Sequence, residues 1–135
     1  MYQSKTHIRV RYGETDQMGY VYYGHYAMYY EVARVESLRQ LGLTYRELEE
    51  KGVMMPVLEN KSKYHAPARY DELLTIVTTI HQKPGVRITF NYEIFNEQDK
   101  LINTGETQLV FLNKQSGRPC PAPKEMLTVL EPYFT

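Results

Sequence analysis

The sequence has one cysteine, no tryptophan and no excess of charge of either sign. Its 135 residues carry 16 Lys plus Arg and 16 Asp plus Glu, so the formal net charge is zero. A protein whose main partner is a nucleic acid would carry an excess of basic residues, so this balance argues against that class. The lone Cys120 excludes an internal disulfide and fits a reducing compartment, which predicts a cytoplasmic protein. Because no His accompanies it in a motif, we interpret it as incidental rather than catalytic.

Long apolar runs are also missing. No stretch approaches the roughly 20 apolar residues that a membrane span needs, and the opening MYQSKTHIRV has no apolar signal-peptide core. We therefore expect neither a membrane partner nor a secretory leader. The length and a hydrophobic content of 42% fit one globular domain over residues 1–135. The absence of net charge lets copies of the chain approach one another.

Tyrosine is present in excess. There are 13 tyrosines against 4 phenylalanines, and six of the tyrosines fall between Tyr20 and Tyr30. A tyrosine ring packs like any aromatic ring, but its hydroxyl needs a partner when buried. Two interpretations stay open: the cluster forms a core and subunit interface, or it forms a pocket for an aromatic or acyl group.

Residues 13–41 form the stretch around which the chain is organised. A polar loop containing Glu14-Thr15-Asp16 leads into a long helical pattern that ends at Gly42, a suitable left-handed cap. Apolar residues spaced by three and four predict one buried helix face, with Arg34, Glu36, Arg39 and Gln40 largely on other faces. The predicted buried face consists of Tyr26, Tyr29, Tyr30, Ala33, Ser37, Leu38 and Leu41.

The rest of the chain is mostly extended. A first strand is predicted over residues 6–12, with Ile8, Val10 and Tyr12 facing inward. A short helix is predicted over 43–51, with Thr44 as its candidate cap and Glu47 at capping-box spacing. Four strands follow, over 55–68 (an edge strand or one lining a site), 73–82, 86–95 and 101–113, and a short helix over 125–130. In the strand over 86–95, alternate residues from Val86 to Ile94 are predicted to face inward. This order predicts an α+β protein whose antiparallel sheet carries helix on one face, the other face being polar.

Several segments of the sequence, two of them long, resemble a known family. The long segments are the run from Tyr12 to Tyr26 (YGETDQMGYVYYGHY), followed by Tyr29, Tyr30, Glu31, Ala33 and Arg34, and the later run YHAPARYDEL that starts at Tyr64. Together with Thr104-Gly105-Glu106-Thr107 and the tail from Pro123, they resemble the hot-dog-fold acyl-CoA thioesterases of the 4-hydroxybenzoyl-CoA thioesterase type. The resemblance covers nearly the whole chain.

The resemblance implies a hot-dog fold, in which a five-stranded antiparallel sheet wraps a long central helix. It implies a homodimer or homotetramer with sites at the subunit interface, an acyl-CoA substrate, and no metal or other cofactor. Asp16 matches the catalytic aspartate, acting as nucleophile or as general base. The amide near Tyr23 or Gly24 matches the group that polarises the thioester carbonyl. Many relatives have His at the position of Tyr23, whereas this chain has His25 two positions later.

The residues themselves leave alternatives open. Asp16 could equally be a turn or capping residue, and Glu31 could face the site or pair with Arg34. Candidate substrate contacts are Tyr22, Tyr26 and Glu31, and the candidate cations for the phosphates of coenzyme A are Lys61, Lys63, His65 and Arg69, which could instead belong to a solvated edge.

The expected function is hydrolysis of an acyl-CoA thioester to a free acid and coenzyme A. Three alternatives remain: a thioesterase acting on acyl carrier protein, a non-catalytic acyl-CoA-binding domain, and a hydratase or dehydratase. The neutral charge gives little support to an acidic carrier protein as partner, and Asp16 argues against a non-catalytic domain. The His-containing motif of the hydratases is not found in this sequence.

Overall fold

The computed structural model describes residues 1–134 and places one long helix against a five-stranded antiparallel sheet. The strands lie in the order β1-β4-β5-β6-β3, so β1 and β3 are the two edges. A separate two-stranded ribbon joins β2 to β7. The elements are β1 (Tyr2–Arg9), α1 (His25–Arg39), α2 (Tyr45–Glu50), β2 (Val53–Met54), β3 (Val57–Tyr64), β4 (Leu73–Ile80), β5 (Arg87–Phe95), β6 (Leu101–Val110), β7 (Leu112–Asn113) and α3 (Lys124–Leu130).

The long helix α1 is buried on the predicted face. Tyr30 and Leu38 are fully enclosed, and the other predicted inward residues of that face are buried except Leu41, which is half-buried. The helix ends where expected, because Gly42 has φ +85° and Leu43 donates its amide to the carbonyl of Leu38. The predicted arrangement of one long helix wrapped by a five-stranded antiparallel sheet is therefore confirmed.

Sequence patterning also located the short helices. Thr44 caps α2, its hydroxyl accepting the amide of Glu47 at 3.1 Å. Pro123 stands immediately before α3, which begins at Lys124. The segment predicted over 55–68 as an edge strand or one lining a site forms β3, which among the described residues pairs only with β6 and is mostly exposed.

Several details of the predicted pattern were wrong. The first strand begins at Tyr2 and ends at Arg9, so Tyr12 falls in a 3₁₀ turn and is 78% exposed instead of facing inward. Val86 lies just before β5 and is 45% exposed, because the chain is still leaving a turn there. Arg34 is only 6% exposed, because it follows Tyr30 by four residues and therefore shares its helix face. The strand predicted over 101–113 is broken into β6 and β7.

No helix within residues 1–134 is long and apolar enough to cross a lipid bilayer. The buried residues instead form one cluster between α1 and the inner face of the sheet. The N-terminal end of α1 lies beside the loop that follows β1, where the amide of Tyr22 donates to the carbonyl of Glu14. That end of the molecule carries the conspicuous sequence motif.

Candidate active site

The loop between β1 and α1 is a small closed hairpin. Thr15 and Val21 form an isolated antiparallel bridge, and the amide of Asp16 donates to the carbonyl of Tyr20 at 2.8 Å. Gly19 turns the chain at its tip with φ +79°, a conformation that favours glycine. Asp16 is therefore held by local hydrogen bonds at a defined place between strand and helix.

The carboxylate of Asp16 uses one oxygen for structure. Its Oδ1 accepts the amides of Met18 at 2.9 Å and Tyr20 at 3.2 Å, which fixes the side chain over the loop. Within residues 1–134, no side chain or amide donates to Oδ2. The side chain is half-buried, so this second oxygen is available to a bound molecule or to water.

Asp16 lies in the wall of a cavity of about 350 Å³. One wall comes from the hairpin and the start of α1, and the other from the end of β3 and the segment after it. Apart from the carboxylate and His65, the lining is mainly aromatic or apolar. The lining residues are Asp16, Met18, Tyr20, Val21, Tyr23, Tyr26, Tyr64, His65, Ala66 and Pro67.

The first residues of α1 bring backbone amides to the same place. A turn closes before the helix, with the amide of His25 donating to the carbonyl of Tyr22 at 2.9 Å. In the described part of the chain the amides of Tyr23 and Gly24 have no acceptor. Unpaired amides at a helix start attract negative charge, and Tyr23 also lines the cavity.

Tyr26 closes the inner end of the cavity. Its ring meets those of Tyr29 and Tyr64 edge to face, with centroids 5.7 and 5.4 Å away. Burial, and to a smaller extent the charges of Tyr64 and Glu72, raises the pKa of Tyr26 to about 12, so the phenol stays protonated. Tyr26 thus contributes a neutral phenol to the cavity lining.

Glu14 is a buried carboxylate that sequence reasoning missed. It is 7% exposed and accepts hydrogen bonds from the hydroxyl of Tyr29 at 2.8 Å and the amide of Arg11 at 2.8 Å. The Arg11 guanidinium adds two bonds, at 3.2 and 3.1 Å. Burial alone would raise the pKa of Glu14, but these donors outweigh it and hold the pKa below its usual value. Burial, together with the hydrogen bond to Glu14, raises the pKa of Tyr29 far above its usual range.

The cavity brings together some of the predicted site residues and not others. Asp16, Tyr23, Tyr26 and His65 line it, and His65 is held by Thr104 at 3.1 Å. Tyr22, Gly24 and Glu31 lie outside the lining, as do Lys61, Lys63 and Arg69.

The predicted cations lie in two places. Lys61 and Lys63 line a separate hollow on the outer face of the sheet, where Lys61 pairs with Glu59 at 2.8 Å. Arg69 lies beside the cavity, its guanidinium 5.1 Å from the ring centre of Tyr20. Within residues 1–134, Lys63 and Arg69 are in no ion pair.

Glu31 and Arg34 do not form the pair that their spacing suggested. Glu31 is exposed on α1, and no ion pair joins it to Arg34. Arg34 lies instead near the hydroxyls of Tyr45 and Tyr92, whose electrostatic influence raises its pKa against the opposing effect of burial. No group of three His, Cys, Asp or Glu side chains within residues 1–134 has the arrangement of a metal site.

Comparison with known proteins gives one consistent family. Residues 10–130 match the model of the thioesterase-like superfamily. The acyl-CoA thioester hydrolase YbgC of Escherichia coli O157:H7 is 33% identical over 120 residues, which cover 89% of this chain and 90% of YbgC. The structure of the DHNA-CoA thioesterase from Staphylococcus aureus is 34% identical, with a TM-score of 0.86 over 99% of this chain and 85% of that one. The hypothetical protein TT1821 from Thermus thermophilus is 34% identical, with a TM-score of 0.89 over 98% of each chain.

Proposed function

This chain belongs to the thioesterase-like superfamily, and we propose that it hydrolyses an acyl-CoA thioester to a free acid and coenzyme A. The family resemblance found in the sequence is thereby confirmed. One observation carries the proposal for the site: Asp16, only one of whose carboxylate oxygens accepts the loop amides, lines a largely apolar cavity that the start of α1 also lines. Relatives named as acyl-CoA thioesterases support the substrate class.

The chemistry proposed for the site needs two groups. Asp16 either takes a proton from a water that attacks the thioester carbonyl, or attacks that carbonyl itself and forms an anhydride that water then cleaves. In both routes the carbonyl oxygen becomes negative, and the free amides of Tyr23 and Gly24 stabilise it. When the resulting intermediate collapses, the carbon–sulfur bond breaks and coenzyme A leaves as a thiolate, which takes up a proton from Asp16 or from water. The collapse gives the free acid directly in the first route and the anhydride, which water then cleaves to the free acid, in the second.

The remaining predicted residues are proposed to bind substrate. Tyr26 bounds the acyl group, while Tyr22, whose ring centre is 4.6 Å from that of Tyr23, and the exposed Glu31 on α1 contact parts of the substrate outside the cavity. Phosphates need positive charge at the mouth of the cavity, and Arg69 and His65 are placed beside it.

We propose that two chains form a homodimer, alone or as half of a homotetramer. The exposed edge strand β3 supports this, because an unpaired edge can pair with the same strand of a second copy. Such pairing would bring Lys61 and Lys63 of one copy close to the other copy. We also propose a cytoplasmic location, on the ground of the single cysteine.

The test compares the wild-type chain with Asp16→Asn on a panel of aliphatic and aromatic acyl-CoAs, following the released thiol. We expect the substitution to lower kcat by about 10²–10⁴, the usual contribution of a positioned base. Asp99→Asn is the matched control, because Asp99 lies in the β5–β6 turn with φ +58°, which asparagine adopts readily. Equal activity of wild type and Asp16→Asn would refute the proposed role of Asp16. If the wild type is inert on every CoA ester but hydrolyses an acyl carrier protein thioester, the acyl carrier protein thioester is the substrate.

A further inference from the structure

The buried carboxylate of Glu14 joins two parts of the proposed site. Two residues before Asp16, it is fixed in the core by the hydroxyl of Tyr29 at 2.8 Å. Its backbone carbonyl also accepts the amide of Tyr22 at 2.9 Å, immediately before the turn that presents the free amides. Glu14 therefore stands at the start of the Asp16 hairpin and is hydrogen-bonded through its backbone to Tyr22 at the end of that hairpin.

Tyr29 lies on the helix that those amides begin. It follows His25 by four residues, one turn further along α1, and a helix transmits position rigidly over so short a distance. The Glu14–Tyr29 hydrogen bond consequently runs between the segment that carries Asp16 and the element that carries the amides. No other side-chain hydrogen bond within residues 1–134 connects residues 14–22 to α1.

We propose that the Glu14–Tyr29 pair is a positioning pair, which sets the placement of the Asp16 carboxylate relative to the amides at the start of α1. The inference rests on the proposed thioesterase function. In both routes the carboxylate, directly or through the attacking water, and the amides act on one carbonyl group, and a misplacement of about 1 Å can cost about 10²-fold in rate. Substrate binding depends mainly on the cavity walls, which neither of these side chains lines.

If the Glu14–Tyr29 pair only stabilised the fold, it would not need to be a hydrogen-bonded pair. Apolar side chains of similar volume commonly replace buried polar pairs without loss of stability. The same helix already packs through Tyr26 and Tyr30. What a directional hydrogen bond adds is a fixed relation between the hairpin and the helix.

The experiment measures kcat, KM and thermal unfolding for Glu14→Gln and Tyr29→Phe, each in the wild-type and in the Asp16→Asn background. We expect kcat to fall about 10- to 100-fold with KM nearly unchanged. In the Asp16→Asn background the same changes should have little further effect, because the group that they position is already lost. Tyr30→Phe is the matched control: its hydroxyl is also buried and bonded, but to Ser62 on β3 and Asn103 on β6 and not to the segment that carries Asp16. It should lower stability without the selective loss of kcat.

Several outcomes would overturn the proposal. They are an unchanged kcat in Tyr29→Phe, a loss of equal size in the Asp16→Asn background, or an equal loss of kcat in Tyr30→Phe. If Glu14→Gln does not fold, Tyr29→Phe alone decides, since it removes only a hydroxyl. A wild type that hydrolyses no acyl thioester overturns the thioesterase proposal and this inference together, whereas an active wild type with an unaffected Tyr29→Phe overturns this inference alone.

Discussion

The rings of Tyr30 and Tyr92 lie parallel within 2°, with centroids 4.2 Å apart, and join the central helix to the middle of the sheet. The hydroxyl of Tyr30 reaches beyond this stack to Asn103 on β6 and to Ser62 on the edge strand, at 2.7 Å from the latter. One helix residue thereby contacts three strands. Such an approach is possible only because β6 has a glycine beneath the ring.

We predict that Gly105→Ala destabilises the protein. A Cβ at this position would overlap the ring and hydroxyl of Tyr30, and overpacking of a core typically costs about 1–3 kcal/mol. The free energy of unfolding in urea measures the effect. Gly85→Ala is the control, because a Cβ there meets nothing within 4 Å. Equal stability of the two variants would show that the Tyr30 ring can move aside.

A second prediction separates the amide of Tyr23 from its side chain. Because the proposed donor is the backbone amide, Tyr23→Phe should retain nearly the wild-type kcat. Tyr23→Pro removes the amide at the second position of the turn that His25 closes on Tyr22, a position that proline favours. Loss of one oxyanion donor typically lowers kcat about 10²–10³-fold. Steady-state kinetics with Tyr23→Ala as control tests this, and a Tyr23→Phe variant as slow as Tyr23→Pro would contradict it.

Tyr26 is predicted to influence the choice of acyl group. Tyr26 lines the cavity and its phenol is protonated, so its hydroxyl is placed to bond a polar group of the substrate. Tyr26→Phe should reduce the ratio of kcat/KM for hydroxybenzoyl-CoA over benzoyl-CoA by roughly 3- to 10-fold, the usual worth of one hydrogen bond. Tyr133→Phe, on the C-terminal 3₁₀ turn, is the control. An unchanged ratio would show that the Tyr26 hydroxyl does not contact the polar group of the acyl substrate.

The hydrogen bonds of Glu14 predict a specific dependence on pH. Its pKa is lowered in the folded protein, so the stabilisation is present above the unfolded-state pKa of about 4.3 and is lost as pH falls through the folded value. The free energy of unfolding of wild type should therefore exceed that of Glu14→Gln most at neutral pH. The difference should shrink as the pH is lowered below about 4. A difference that stays constant down to pH 3 would mean that the carboxylate is not charged in the fold.

Sequence patterning located the elements that depend on local signals. The helix end at Gly42 and the cap at Thr44 are set by neighbouring residues, and both were predicted correctly. Arg34 was predicted to lie away from the buried face because it is charged. Its spacing indicates the buried face, since it follows Tyr30 and precedes Leu38 by four residues each.

The sequence predicted only the part of the candidate site that lies within the motif. Asp16 and Tyr23 stand out in the motif and do meet in one cavity. Glu14 resembles an ordinary loop carboxylate, because its burial depends on a tyrosine hydroxyl that is distant in sequence and on an arginine that looks solvated. Lys61, Lys63 and Glu31 lie outside the cavity lining, because their positions depend on how distant segments pack, which local spacing does not encode.

The Glu14–Tyr29 bond spans fifteen positions, and the hairpin contacts inside it are shorter still. The proposed catalytic groups are thus arranged by a short continuous segment, whereas the opposite cavity wall comes from a distant part of the chain. Mutations in the distant wall can alter which acyl group fits without disturbing the reacting groups. Such a division lets descendants of one ancestral chain change substrates while inheriting the same reaction.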